Sequence, residues 1–254
     1  MTDQAARIAD AIMARAPFDD LGASAPQSLV EAYALQARVV EKLAAAHGGI
    51  GGRKIAWNTA AQMDAMGLSE PGAACICADL VRRSPATLAA ADFHTFAIEP
   101  EICAILKADI APREHGHDRA SVIEAVERLA PAFELLDPRG MGKAAPFSIL
   151  SQNINNRGIV IGGPGLPPHD VDPSALRSVV TCNGETMLDK AGAAPMDPLT
   201  AVAFLANRFN ALGQTLKAGE VLLLGAHLPP TPIPAPATMR FDLGALGAAE
   251  FTIA

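Results

Sequence analysis

An α+β fold is the class this sequence predicts, and three observations predict it. The first fifty residues carry helical periodicity bounded by capping and stop signals. The remainder breaks into short apolar runs, punctuated by Gly and Pro, with the length and spacing of strands. Two marked helical segments are interspersed among those runs, which points to a curved antiparallel or mixed sheet. The chain therefore reads as an N-terminal helical section, 1–50, followed by a larger strand-rich unit, 51–254.

Taken in order, residues 3–15 form an Ala-rich helix with Ile8, Ile12 and Met13 on one side, ended by Pro17. Ser24-Ala-Pro-Gln27 reads as a capping box opening a second helix, with Leu29, Tyr33, Val40 and Leu43 at helical spacing and Gly48-Gly49 as its stop. Strands are expected at Lys54–Trp57, Phe93–Lys107, Ala132–Leu136, Gly158–Ile161, Ser178–Cys182 and Val221–Leu224. A closing pair, Thr238–Asp242 and Ala249–Ile253, is joined as a hairpin through Gly244 and Gly247. Asn183-Gly184 between two strand-like runs is a two-residue hairpin signal. Ser121-Val-Ile-Glu opens a helix over Ser121–Leu129, and Asp197 with Pro198 opens another that ends at Gly213. The prolines of Pro229-Pro-Thr-Pro-Ile-Pro-Ala-Pro236 exclude helix and central strand there.

Composition narrows the function. Half of the 254 residues are apolar, enough for a sizeable core. A formal charge of −7 with no Lys/Arg run argues against nucleic acid as a partner. Cys75, Cys77, Cys103 and Cys182 form neither a disulfide framework nor a zinc pattern, so reduced thiols are expected. The polar N-terminus has no signal-peptide character and no stretch reaches membrane-spanning length, so the expectation is a cytoplasmic, non-membrane protein.

The candidate chemistry starts from Glu99 and Glu101, one residue apart inside the apolar run 96–106. On a strand, side chains at i and i+2 share a face, and Glu134, in a similar apolar run, can complete a cluster from a second strand. Three converging carboxylates repel unless a cation lies between them, and a hard divalent ion with oxygen ligands, Mg²⁺ or Mn²⁺, answers that need. A solvated edge strand is the competing reading, and Pro100 suits it. Lys54, in Gly51-Gly-Arg-Lys-Ile-Ala-Trp57, either snorkels to the surface or holds its ammonium near a buried site. Asp79 either caps a turn or serves as an acid/base group. Asn153, Asn155 and Asn156 precede a strand, where Asn ordinarily makes turns but also orients substrates. His115 and His117 sit in a polar loop typical of a solvated turn, whereas His227 follows an apolar strand and faces either a cleft or the core.

Six segments together carry a resemblance. They are Gly52-Arg-Lys-Ile, Glu99-Pro-Glu-Ile-Cys-Ala-Ile-Leu, Pro131-Ala-Phe-Glu-Leu-Leu-Asp-Pro-Arg, Gly158-Ile-Val-Ile-Gly-Gly-Pro, Asp197-Pro-Leu-Thr-Ala-Val-Ala-Phe-Leu-Ala and Leu222-Leu-Leu-Gly-Ala. In this order and spacing, from residue 25 onward, the chain resembles the 2-keto-4-pentenoate hydratase family. The 4-oxalocrotonate decarboxylases are that family's sister group, and both fall in the fumarylacetoacetate hydrolase superfamily. The resemblance implies a β-roll core over 51–254 behind the N-terminal helical section, dependence on Mg²⁺ or Mn²⁺, and a homo-oligomer, in some pathways complexed with a related enzyme. It places the metal carboxylates on Glu99, Glu101 and Glu134, the lysine on Lys54 and the acidic residue on Asp79. It implies hydration of a short 2-hydroxydienoate or 2-oxo-enoate, such as 2-hydroxypenta-2,4-dienoate, in aromatic-compound catabolism. Decarboxylation or carbon–carbon hydrolysis of a related 2-oxo acid is the enzymatic alternative, and a 2-oxo-acid-binding partner subunit the non-enzymatic one.

The chain departs from its relatives in three places. Leu224 stands where they usually carry Thr, Asn156 where they often carry Ser, and His227-Leu-Pro-Pro replaces a small Gly-rich stretch. Asn156, His227 and Arg139 are therefore candidate substrate-binding residues in a rebuilt half-pocket, with Arg53 and Arg157 as further candidates for a distal carboxylate. Trp57 and Met63 either line that pocket or pack in the core.

Overall fold

The computed structural model describes residues 3–254. Asp3 caps the first helix, α1 (Gln4–Met13), which buries Ala5, Ile8, Ala9 and Ile12. The second helix, α2 (Leu29–Ala46), starts later than the sequence signals indicate. Ala25 is extended (φ −66°, ψ 142°), as a residue before proline prefers, so helix cannot run through it. Ser28 is the cap instead; its side chain accepts from the Glu31 amide, and the Glu31 carboxylate accepts from the Gln27 amide. The α2 side chains Leu35, Val39 and Leu43 pack with Ile8 and Ile12 of α1, so the two helices share one apolar cluster.

Fourteen strands and four further helices follow among the described residues. In chain order they are β1 (Ile50–Ala56), α3 (Ala60–Met66), β2 (Gly72–Cys77), β3 (Val81–Arg83), β4 (Ala86–Leu88), β5 (Ala97–Leu106), α4 (Arg119–Val122) and β6 (Val126–Leu136). The chain continues through α5 (Pro146–Ser151), β7 (Asn156–Ile161), β8 (Gly163–Pro164), β9 (Arg177–Cys182), β10 (Glu185–Ala191) and α6 (Pro198–Ala211). It ends with β11 (Val221–Ala226), β12 (Thr231–Pro232), β13 (Ala237–Asp242) and β14 (Gly247–Ile253). An eight-stranded mixed sheet runs β2-β1-β11-β5-β6-β7-β3, with β12 beside β5. A six-stranded sheet runs β10-β9-β13-β14-β4, with β8 beside β14.

The two sheets meet through aromatic side chains. Phe133 of β6 lies edge-on to Phe251 of β14 at 5.1 Å and tilts against Phe241 of β13 at 5.9 Å. The opposite face of the large sheet carries small and branched residues, Ile76, Cys103, Ala130, Ala132, Ile159 and Leu223. Both faces of the central strands are thus buried. The four cysteines are free thiols. Among the described residues no helix is long and apolar enough to cross a membrane.

Several sequence expectations are met. The Asn183-Gly184 turn joins β9 and β10 with φ of 51° and 84°, the pair of positive values a type I′ turn requires. Asp197 caps α6, with Pro198 in its first position. The expected helix over Ser121–Leu129 is corrected. One α-helical turn, α4, forms, capped reciprocally by Asp118 and Ser121; a 3-10 turn over Ile123–Ala125 follows, and the chain enters β6 at Val126. The β6–β5 ladder runs from Val126↔Leu106 to Leu136↔Ala97, and so long a ladder outweighs a local capping signal.

Candidate active site

The ladder between β5 and β6 sets Glu99 directly opposite Glu134, with Glu101 two residues along on the same face. All three point to the small-residue side of the large sheet. One carboxylate oxygen from each lies within 4.8 Å of the others. Glu101 and Glu134 are fully buried, which removes the solvated-edge reading of this segment. Lys54, on β1, is 1% exposed and brings its Nζ to 2.6 Å from Glu134 Oε1. Its side chain therefore faces the cluster and does not snorkel.

Strand β1 reaches this depth because Gly52 admits β11 at close range; a Cβ at Gly52 meets the Val221 carbonyl oxygen at 2.1 Å. On β11 the pairing with β5 shifts between Leu223 and Ala226, and Gly225 sits in that irregularity with φ +118°. The Gly225 amide thereby turns inward and donates to Glu101 Oε2 at 2.6 Å. A Cβ at Gly225 meets Asn58 Nδ2 at 2.4 Å, so Gly225→Ala should strain the turn and loosen Glu101 together. A loss of about 1–3 kcal/mol in denaturant unfolding is expected.

Electrostatics leave one ligand position open. Glu134 Oε1 receives both Lys54 Nζ and Asn156 Nδ2, the latter at 2.8 Å, whereas Glu134 Oε2 is buried with no hydrogen-bond partner. Burial, with the Glu134 charge adding to it and Lys54 opposing, pushes Glu99 up to about 8. Burial and the two neighbouring carboxylates hold Glu101 well above the usual range. Burial works against the Lys54 ammonium, but the carboxylates, Glu134 foremost, outweigh it and its pKa lies above the ordinary lysine value. An unpartnered buried oxygen, an all-oxygen donor set and carboxyls that resist ionising without a counter-charge fit a hard divalent cation. They fit zinc or copper poorly, since no nitrogen or sulfur ligand joins the cluster among the described residues.

A cavity of about 180 Å³ opens onto this cluster. Lys54, Glu99 and Glu101 line its charged end, and Trp57, Leu136, Met141, Ile149 and Ile154 give it apolar walls. Residues 153–155 form a left-handed turn, with φ of 60°, 46° and 57°. For β-branched Ile154 that conformation is strained. Asn153 holds the turn: its Oδ1 accepts from the Cys75 amide at 2.9 Å and its Nδ2 donates to the Cys75 carbonyl at 2.8 Å. The turn delivers Ile154 and Asn155 to the cavity wall. Asn155 takes the substrate-facing one of its two sequence readings, whereas Asn58, another cavity-lining amide, was not singled out in the sequence, because an Asn among turn formers carries no signal of which way it faces.

The other sequence candidates lie elsewhere. Asp79 is exposed, beside Gly48, and does not line the cavity. Arg139 is buried against the helical section: its Nη2 donates to Gln152 Oε1 at 2.6 Å, its Nη1 to the Ala16 carbonyl at 3.3 Å, and it lies over the Phe18 ring. Arg53 stacks on Phe209 and pairs with Glu220, and Arg157 reaches the Asp92 carbonyl. Met63 is outside the lining and Leu224 packs in the core. Asn156 touches the site through Glu134.

His227 also stays off the lining. Its amide donates to the Pro100 carbonyl, its Nδ1 lies 2.7 Å from Ser178 Oγ, and its ring stands edge-on to Phe241. Burial lowers its pKa to about 4. The folded protein therefore holds His227 neutral, and stability present above the unfolded value near 6.5 is lost as pH falls toward 4. The loss should be on the order of 3 kcal/mol in acid unfolding, and His227→Gln should abolish that part of the pH dependence.

A two-sheet α/β protein with a largely buried carboxylate trio and lysine at the end of a small cavity defines the class, a candidate divalent-metal site of enzymatic type. In sequence the chain is similar to the 2-keto-4-pentenoate hydratases, and its fold neighbours include a 4-oxalocrotonate decarboxylase. The chain is 28% identical over 247 residues to 2-keto-4-pentenoate hydratase of Paraburkholderia phymatum, covering 96% of this chain and 93% of that protein. It is 35% identical over 147 residues to 2-hydroxyhexa-2,4-dienoate hydratase of Comamonas testosteroni, covering 57% and 54%. 4-Oxalocrotonate decarboxylase from Pseudomonas putida, solved with magnesium and adipate, superposes with TM-score 0.89 at 24% identity, over 98% of this chain and 95% of that one. Fumarylpyruvate hydrolase from Pseudomonas aeruginosa, solved with Mn²⁺ and pyruvate, gives TM-score 0.56 at 18% identity, over 79% and 88%. No protein-family model matches the sequence.

Proposed function

We propose that this chain is a divalent-cation-dependent hydro-lyase that adds water to a short 2-hydroxydienoate or its 2-oxo-enoate form, of the 2-hydroxypenta-2,4-dienoate kind. The observation that carries the reading is the Glu99–Glu101–Glu134 cluster, with one buried oxygen lacking a partner, facing Lys54 at the closed end of a small cavity. The hydratase names of the relatives support the same reading. The strand-rich unit 51–254 is taken as the catalytic β-roll domain, residues 1–50 as its helical section, and a homo-oligomer as the assembly.

Glu99, Glu101 and Glu134 would hold the cation, Mg²⁺ or Mn²⁺. When bound, such an ion supplies Lewis acidity to the carboxylate and 2-oxo oxygens of the substrate. The residues of the chain do the rest. Gly225 fixes Glu101, and Asn156 and Lys54 fix Glu134 through a single oxygen, leaving the other free. Lys54 Nζ, held charged by its carboxylate neighbours, can bind the substrate carboxylate or pass a proton toward C5 and regain one from the 2-hydroxyl as the dienol becomes the conjugated 2-oxo-enoate. Water then adds at C4 and a proton at C3, with no change in oxidation state overall. Asp79, exposed and off the cavity, is given no part in this scheme.

The test is the Mg²⁺-dependent loss of dienoate absorbance with the 4-hydroxy-2-oxo acid as product. Carbon dioxide release in place of hydration assigns decarboxylation, and a shorter acid plus a second fragment assigns carbon–carbon hydrolysis. Metal-dependent oxalate binding without turnover of any dienoate assigns a binding subunit.

A further inference from the structure

The strap that leaves β11 runs directly alongside the strand carrying two of the three carboxylates. Ala226 is paired with Glu101, the His227 amide donates to the Pro100 carbonyl at 2.8 Å, and Thr231 is paired with Ile98. Residues 226–231 therefore follow β5 past Glu101, Pro100 and Glu99 in turn. Pro100 has no N–H, so at this residue β5 can only accept, and the donor is His227. Pro229 and Pro230 fix their own φ and stiffen the strap, while Ala226 and Pro230 also line the cavity.

The His227 side chain leaves the large sheet altogether. Its Nδ1 lies 2.7 Å from Oγ of Ser178, a fully buried residue of β9 in the six-stranded sheet. Its ring stands edge-on to Phe241 of β13 at 5.4 Å, and its Nε2 is buried with no partner. Such a pair is a poor source of stability. The orphaned nitrogen is a desolvation cost, and two apolar side chains of similar shape would fill the space without it. What the pair does supply is direction: one hydrogen bond ties the residue whose amide holds Pro100 to the opposite sheet.

Building on the proposed cation site, we infer that His227 is a positioning residue: clamped by Ser178, it fixes the strap against Pro100 and so sets Glu99 and Glu101, on either side of that proline, for the cation. It lies off the cavity lining and acts on the two carboxylates through the Pro100 peptide.

The test compares Mg²⁺ affinity with stability in the same variants. The double variant Ser178→Ala/His227→Leu removes both partners and strands no polar atom, so its urea midpoint should stay at or above that of the parent. Its Mg²⁺ Kd in calorimetric titration should nevertheless rise about tenfold, the low end of what a lost outer partner costs at a metal site. His227→Asn, whose amide can stand where Nδ1 stood and keep the bond to Ser178, should restore most of the affinity. A midpoint that falls while Mg²⁺ affinity holds makes the pair merely structural and overturns the inference. Equal loss of affinity in His227→Asn and the double variant overturns it too, because the hydrogen bond is then not what matters. Should the double variant not fold, Ser178→Ala and His227→Asn are compared directly. Weakened Mg²⁺ binding in the first beside near-parent binding in the second is the expected pair, and no difference between them overturns the inference. A parent that binds no Mg²⁺ removes the cation site and this inference together, whereas unchanged variants beside a Mg²⁺-binding parent remove only the role of His227.

Discussion

Lys54→Met is expected to lower turnover by about 10²–10⁴-fold, the range of a positioned proton-transferring group. The substitution keeps an unbranched apolar stem, one atom shorter, and removes the charge and the donors. In the folded protein Nζ sits 2.6 Å from a carboxylate oxygen with almost no solvent exposure, so nothing in bulk water replaces it. The variant carries a second, opposite signature. Removing a positive charge from beside Glu134 makes the carboxylate cluster more attractive to a divalent cation, so Mg²⁺ affinity should hold or rise while turnover collapses. Calorimetry and a dienoate assay on the same preparation separate the two effects. Turnover within tenfold of the parent assigns Lys54 to structure alone.

Glu101→Gln is expected to lose affinity and turnover together. The carboxamide oxygen can still accept from the Gly225 amide, so the local fold should survive, but one of three anionic ligands is gone. Outer-shell changes at metal sites commonly cost 10–100-fold in affinity, and loss of a direct anionic ligand should cost about 100-fold or more. A readout independent of activity comes from linkage. Mg²⁺ at about a hundred times its Kd should add about 2.7 kcal/mol to the stability of the parent, and the same concentration should add almost nothing to the variant. Chelation should reverse the gain. An unchanged Mg²⁺ affinity in Glu101→Gln places the cation outside the trio.

Much of the cluster is legible in the sequence because strand geometry is simple. Glu99 and Glu101 share a face through the two-residue period alone, and the alternation of charge with apolar residues around them marks a strand with one chemically special side. The arrival of Glu134 opposite Glu99 depends on the β5–β6 register, which the sequence limits without fixing. Lys54 needed the same step: its burial follows from Gly52 and the parallel pairing with β11, a contact between segments far apart in the chain. The Ser121 segment misleads because its capping signal is local and the competing ladder is not. Strand β2, Gly-Ala-Ala-Cys-Ile-Cys, shows no alternation because it is buried on both faces. The cavity walls were the least legible part. Trp57 and Ile154 have φ of 54° and 46°, and no pattern of side chains announces a left-handed backbone at non-glycine residues. Asp79 shows the converse, an acidic residue well placed in the chain that the folded protein leaves facing solvent.

The left-handed turn at 153–155 bears on how this protein can be altered. It is clamped to Cys75 through the Asn153 side chain on one side and, through the Asn155 carbonyl, to the Asp137 amide on the other. Exchanging Ile154 for another branched residue therefore reshapes a wall whose frame is already under tension and has no slack to share. Met141, unbranched and partly exposed, meets the turn through its sulfur, 3.9 Å from Asn155 Nδ2, a weak contact and no clamp. A directed-evolution library aimed at new substrate tails should draw its viable members from the Met141 side, with Asn153 through Asn155 left as the fixed jaw.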